Sequence, residues 1–274
     1  MFNRNRVFAA PHTHALTDDA MRHLAPSIFA DDPHSSRSDR YTYIPTIEVL
    51  NALRKEGFEP FNAMQTRVRT AGKRDHAKHL VRLRHVNHAG HDEANEIILI
   101  NSHDGSSSYR MMSGVYRFVC ANGMICGDTF DEIRVPHKGD IQDQVVEGAH
   151  LILDGFDLIT EKCDVMKSIQ LDQREQEVFA RAALALKYGD NEGTAAPITE
   201  SQILRPRRSA DLKSDLWSTF NRVQENTIKG GITGRSANGK RTTTRGVTGI
   251  DQNSSLNRAL WTLADEMARI KTNA

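Results

Sequence analysis

The run Ile97-Ile98-Leu99-Ile100 is the most apolar short segment of the chain, and no fold can leave it in water. Three of its four residues are β-branched and turn-formers follow at once, so it reads as a buried strand over Glu96 to Asn101. Asn101-Ser102-His103-Asp104-Gly105 then supplies dense turn chemistry. Ser106 to Ser108 can cap a helix, which the reading carries from Ser106 to Ala121 and stops at Asn122-Gly123, where a glycine can take the left-handed conformation. A hydroxyl-rich and amide-rich turn between a buried strand and a buried helix makes Asn101, Ser102, His103, Asp104, Gly105, Asn122 and Gly123 the most site-like group of residues.

Around that strand the chain reads as α+β. Residues 1–40, broken by Pro11, Pro26 and Pro33, form an irregular N-terminal arm with one helical turn near Asp18 to Leu24, and order begins at Tyr41. Residues 41–140 form an α+β core. A helix over Thr46 to Glu56 shows Ile47, Leu50 and Leu53 at threefold spacing, strands follow over Phe58 to Arg69 and His79 to Val86, and the buried strand completes a meander of three or more antiparallel strands packed by helices. One or two further strands fit between Met124 and Pro136. Residues 141–274 are a helical extension. Val145, Ala149, Ile152, Phe156, Ile159, Cys163 and Met166 alternate spacings of four and three, a heptad seam that packs on another helix of this chain or of a second copy. Asp172 with Glu175 is a capping-box start for the next helix, and helices over Asp211 to Ile228 and Leu256 to Ile270 follow.

A chain of 274 residues with net charge +1 has an ordinary globular composition, so a nucleic-acid partner would need a local basic patch. Three cysteines without paired spacing suit a reduced cytoplasm, and neither a membrane-spanning run nor a signal-peptide core is present, so the expected location is cytoplasmic and no membrane partner is expected.

Two basic groups offer such a patch. Residues two apart share a sheet face, so Arg67 with Arg69 and Arg82 with Arg84 place four guanidiniums on one exposed face if register brings the strands together; a solvated face neutralised by nearby acids is the plain alternative. Arg205, Arg207 and Arg208 open a second group. It continues through residues 229–249, with six glycines, five Lys or Arg (Lys229, Arg235, Lys240, Arg241, Arg245) and no acid, a segment expected to be mobile unless an anion orders it. Its GRSANGK has P-loop spacing, but Arg241 stands where Ser or Thr must reach Mg²⁺, and the segment follows a helix instead of a strand.

Six of the 12 histidines, His76, His79, His85, His88, His91 and His103, crowd one region. Their threefold spacing is a helical device in a strand-and-turn segment, so solvated loop histidines are expected and no metal or other cofactor is assigned. Ser102, His103 and Asp104 are consecutive and lack a nucleophile elbow, so no catalytic residue is assigned either; a metal-dependent nuclease would be the activity least out of keeping with the chain. Tyr109, Tyr116 and Phe118 are core residues or, if exposed, platforms for bases.

The block NSHDGSSSYRMMSGVYRFVCANGM resembles the signature of an uncharacterised phage/plasmid-like protein family, a domain of unknown function carried on plasmids, prophages and phages. The likeness covers Ile28 to Met267 and implies a mobile-element setting with little chemistry. The order helix, three strands, helix is also similar to the core of Rad52-type single-strand annealing proteins, with YIPTIEVLNAL and EGFE resembling its helix-to-strand entry. That second likeness implies binding of single-stranded DNA without bond chemistry, as a homo-oligomeric ring or filament built by helical contacts. The first expectation is thus a mobile-element DNA-binding protein that anneals or protects single strands, using Arg67, Arg69, Arg82, Arg84, Arg205, Arg207, Arg208, Lys229, Arg235, Lys240, Arg241 and Arg245. The second is a counter-defence protein acting by binding a host protein.

Overall fold

The computed structural model describes residues 14–35, 42–68, 71–88, 92–120, 122–126, 132–189 and 196–273. The expected α+β class holds, an antiparallel meander followed by a mainly helical C-terminal half. Two compact units divide the chain: residues 1–123 with 131–154, and residues 124–130 with 155–274.

In the first unit, helices α1 (Asp18–Leu24) and α2 (Thr46–Lys55) precede β1 (Phe58–Gln65), β2 (His79–His85), β3 (Glu93–Asn101) and β4 (Tyr109–Arg117); β5 (Asn122–Ile125) runs over the boundary at 123, and β6 (Ile133–Val135) and α3 (Ile141–Asp154) close the unit. The strand order is β1-β2-β3-β4-β5, with β6 antiparallel to β4. Two expectations fall here. The segment around Asp18 to Phe29 is no loose arm, because Leu16, Met21 and Ile28 are buried. The helix expected over Ser106 to Ala121 is β4, paired with β3 from Glu93↔Arg117 to Ile100↔Arg110. A buried strand must satisfy the backbone groups on both its edges, and Tyr109, Met111, Ser113 and Val115 alternate onto one face as that pairing needs. The likeness to the annealing core therefore loses its last element.

Register divides the sheet into two buried faces. His79, Val81 and Leu83 lie with Leu99, Ile97 and Asn101 on one, and α2 and α3 pack over it. A Cβ at Gly148 of α3 would overlap the Met111 methyl, so glycine there lets α3 come down onto the strand. Leu80, Arg82 and Arg84 lie on the opposite face with Glu96, Ile98 and Ile100.

The second unit holds α4 (Phe156–Ser168), α5 (Gln173–Tyr188), α6 (Glu200–Ile203), α7 (Leu216–Lys229), a ribbon of β7 (Thr233–Arg235) and β8 (Arg241–Thr243), and α8 (Ile250–Thr272). The capping box at α5 is present in both directions, Glu175 N–H donating to Asp172 and Asp172 N–H to Glu175, each at 2.8 Å. Helix α7 is buried at every position from Leu216 to Ile228. It starts at an Asp215 cap, later than the Asp211 expected, and Leu212 lies outside it and is exposed. The heptad seam is split by Gly155 between α3 and α4, yet all seven of its residues are buried within the chain, which removes its argument for a second copy. Within segment 229–249, expected to be mobile, Thr233 to Thr243 form a hairpin. No helix among the described residues is long and apolar enough to cross a membrane.

Candidate functional site

The signature turn is built around Thr46, at the N-terminus of α2. Its hydroxyl lies 2.9 Å from His79 Nε2, 3.0 Å from His103 Nε2 and 3.0 Å from the Asn101 amide nitrogen. His79 Nδ1 faces Ser27 Oγ at 2.8 Å and the Ala77 carbonyl at 3.2 Å. A carbonyl only accepts, so Nδ1 carries the proton and Nε2 accepts from Thr46. Thr46 then accepts from Asn101 and from His103 Nε2–H, which uses both its lone pairs, and His103 Nδ1 is a bare, buried lone pair. Burial holds both rings neutral, lowering His79 to about 4 and His103, with help from the neighbouring histidines, to about 2. Asp104 caps the turn by accepting from Ser106 N–H at 2.9 Å. Burial works to raise its pKa, but the Ser106 and Ser102 hydrogen bonds outweigh it and hold the carboxyl low. Gly105 takes a positive φ of 77°. The hydroxyl at the centre is hydrogen-bonded to all three side chains and buried, so the group ties the strand ends to α2. The expected solvated loop histidines are thus, at His79 and His103, core residues; His91 lies outside the described residues.

The sheet arginines are corrected most sharply. Arg82 and Arg84, expected on an exposed face, are only 8% and 5% exposed. Both pair with the fully buried Glu96, Arg82 at 2.7 Å and Arg84 at 2.8 Å. The Arg84 guanidinium also lies over Phe61, Tyr116 and Phe118 at 4.3, 4.5 and 5.0 Å, which disperses the positive charge that one carboxylate shared by two cations leaves over. A side chain at Gly123 would overlap the Arg82 guanidinium, so that glycine makes room for the cation instead of ending a helix. Arg67 is exposed; Arg69 and the side chain of Asn122 lie outside the described residues.

The basic C-terminal group divides by role. Arg208 bridges Asp211 and Glu225 at 2.6 and 2.7 Å, and Lys229 reaches Glu225 at 2.9 Å. Burial tends to raise Glu225, but these two cations hold its carboxyl low. Arg207 donates to Asn226 at 2.7 Å and to the Gly230 carbonyl at 2.6 Å. These cations hold the loop. Arg205, Arg235, Lys240, Arg241 and Arg245 are exposed. In the ribbon Thr233 pairs with Thr243 and Arg235 with Arg241, all four on the outer face. The inner face is pressed down: a Cβ at Gly234 would run into the Pro197 carbonyl, to which Arg235 N–H donates at 2.8 Å. Lys187 ties the ribbon's base to α7, donating to the Thr227 carbonyl at 2.5 Å and the Arg245 carbonyl at 3.1 Å, and burial lowers it to about 8. GRSANGK is the hairpin turn, closed by Gly239 N–H to Ser236 O, and not a phosphate-cradling loop between strand and helix.

Residues 33–261 match the Domain of unknown function (DUF932). The chain belongs to the DUF932 family. Two relatives from Escherichia coli (strain K12) are UPF0380 protein YafZ, 52% identical over 252 residues, and UPF0380 protein YfjQ, 51% identical over 252 residues; each alignment spans 92% of this chain and 91% of the relative. No solved structure matches. The uncharacterised family suspected from the signature block is thereby shown, and this DUF932 member keeps that block in its core. Sequence reasoning missed Thr46 and Ser27 as partners of the turn, and Glu96 as the acid between the arginines. Only Glu96 left a signal, a lone carboxylate beside the IILI run. Among the described residues of the DUF932 chain, no group of three or more His, Cys, Asp or Glu side chains could hold a metal ion.

Proposed function

We propose that this protein binds single-stranded nucleic acid on the outer face of the β7–β8 ribbon, and that it anneals or protects single strands for a mobile element in the cytoplasm. The observation that carries the reading is the cross-strand pair Arg235↔Arg241, in a segment from 229 to 249 that contains no acid. Like charges directly opposite on a ribbon destabilise it, and a polyanion laid across the pair reverses that sign. Lys240, Arg245 and Arg205 are further exposed cations of the helical unit, and Arg67 is one of the sheet unit. Arg82, Arg84 and Arg208 take no part, since acids hold them, and Arg207 spends two bonds on Asn226 and the Gly230 carbonyl, whereas Arg235 gives one, at 3.0 Å to the Gly239 carbonyl, and stays exposed. Binding of this kind needs no bond chemistry and weakens as salt rises, because each neutralised phosphate releases counterions.

Fluorescence anisotropy with a labelled single strand and its duplex, at low and moderate salt, tests the reading. Tight, salt-sensitive binding that favours the single strand supports it and justifies an annealing-rate assay. Binding unchanged by salt, or absent altogether, removes it. A second reading, counter-defence through a host protein, draws on the exposed apolar side chains Val178, Leu186 and Ile270 of the helical unit. A stable one-to-one complex with a host protein, and no affinity for oligonucleotides, would favour it.

A further inference from the structure

We infer that the ribbon recognises the phosphodiester chain alone, with Thr233, Arg235, Arg241 and Thr243 seating a backbone phosphate and the bases left untouched. This inference rests on the nucleic-acid reading above and names what that site would hold.

Three observations lead to it. The first is the array itself. Directly opposed residues on a two-stranded ribbon have Cβ atoms about 5 Å apart, and residues two apart along a strand share a face. Thr233↔Thr243 and Arg235↔Arg241 therefore form a two-by-two patch of two hydroxyls and two guanidiniums, a donor set that suits the non-bridging oxygens of one phosphate. The second is the seating of the ribbon. With Gly234 against the Pro197 carbonyl and Lys187 holding the Arg245 carbonyl, one face of the ribbon is seated on the helical unit, and the face it presents carries only the two threonines and two arginines of the array. The third is the surroundings. Base stacking needs an exposed ring; the helical unit's described aromatics Phe156, Phe179, Trp217, Phe220 and Trp261 are buried, and Tyr188 is half-buried beneath the Lys187 ammonium at 5.3 Å. Phosphate donors are displayed and stacking platforms are not.

A strand gripped only by its backbone keeps its bases free to pair, which is what an annealing protein requires. Four displayed cations, Arg235, Lys240, Arg241 and Arg245, set the salt dependence on a single strand at a slope of about −3 in log K against log salt.

The test compares a labelled oligothymidylate with an abasic strand carrying the same number of phosphates, using the full-length protein. Affinities within about threefold of each other, equal competition by inorganic tripolyphosphate, and a matching loss of about tenfold or more on both strands in the Arg235→Ala/Arg241→Ala double variant support the inference. The Thr233→Val/Thr243→Val variant, which keeps the charge and the β-branched shape, should weaken both strands by a few-fold. If the base-bearing strand binds tenfold or more tighter than the abasic one, or the arginine variant binds both normally with its circular dichroism unchanged, phosphate-only recognition at the ribbon is overturned while nucleic-acid binding stands. If the wild-type protein binds neither strand, both proposals fall together.

Discussion

Arg82 and Arg84 of the sheet and Arg235 and Arg241 of the ribbon are each a closely spaced arginine pair in extended backbone, yet they meet opposite fates. In the sheet, the β2–β3 register sets Glu96 beside both guanidiniums, aromatic rings close over Arg84, and the charges disappear into the core. In the ribbon, the two arginines face each other from paired strands and the hairpin supplies no acid, so the charges stay in water. An arginine on a strand is thus a structural cation or a displayed one according to what its neighbouring strand carries.

The largest effect expected from this contrast is at Glu96. Glu96→Ala leaves two buried guanidiniums without their carboxylate, and breaking a buried pair in this way costs about 3–5 kcal/mol. Urea unfolding should show a large drop in midpoint; a drop comparable to that of an exposed pair such as Arg269–Glu266 would mean that the arginines are solvated after all.

Next comes acid. The unfolded chain protonates His79 from its ordinary value of 6.5 downward, while burial delays the same event in the fold to about 4. The unfolded state therefore binds more protons between these values, so stability is full above pH 6.5 and falls as the pH drops, by roughly 3 kcal/mol at pH 4 from His79 alone. His103, lowered further, adds to the loss in the same direction. Unfolding midpoints measured from pH 7.5 to 4.5 should decline steadily, and a level profile would contradict the neutral Thr46-centred network.

The smallest effect sharpens the ribbon side. Lys187→Met removes two hydrogen bonds from a charged donor to main-chain carbonyls at the ribbon's base, worth about 1.5 kcal/mol each at the low end of the charged range and less where water replaces them. Global stability should shift little, while amide exchange at Thr243 to Val247 should speed up; unchanged exchange would mean that the close approach of Gly230 to the Arg245 carbonyl and of Gly246 to the Lys229 carbonyl holds the ribbon by itself.

Much of this was legible in the chain itself. The apolar run at 97–100, the threefold stripe of α2, the Asp172–Glu175 capping box and the Asp18 to Leu24 turn are local patterns, and each led to the element that forms. The site was legible only as composition: a stretch with five cations and no acid marks a basic surface whatever its shape. Local pattern failed where a distant partner decided. Ser106 to Ala121 carries helix-start chemistry, but the open edge of β3 takes it as β4. The heptad seam continues across Gly155 as a pattern although the helix does not.

Periodicity, caps and charge runs belong to neighbouring residues and determine element type, the α+β class and the existence of a basic segment. Tertiary structure alone decided which arginines are spent and which are displayed, that His79 and His103 meet at Thr46, and that a glycine-rich stretch becomes a ribbon seated against Pro197. Each of these depends on strand register or on a close approach between residues far apart in the chain. A one-residue slip in register would send every side chain to the other face, and nothing local forbids it.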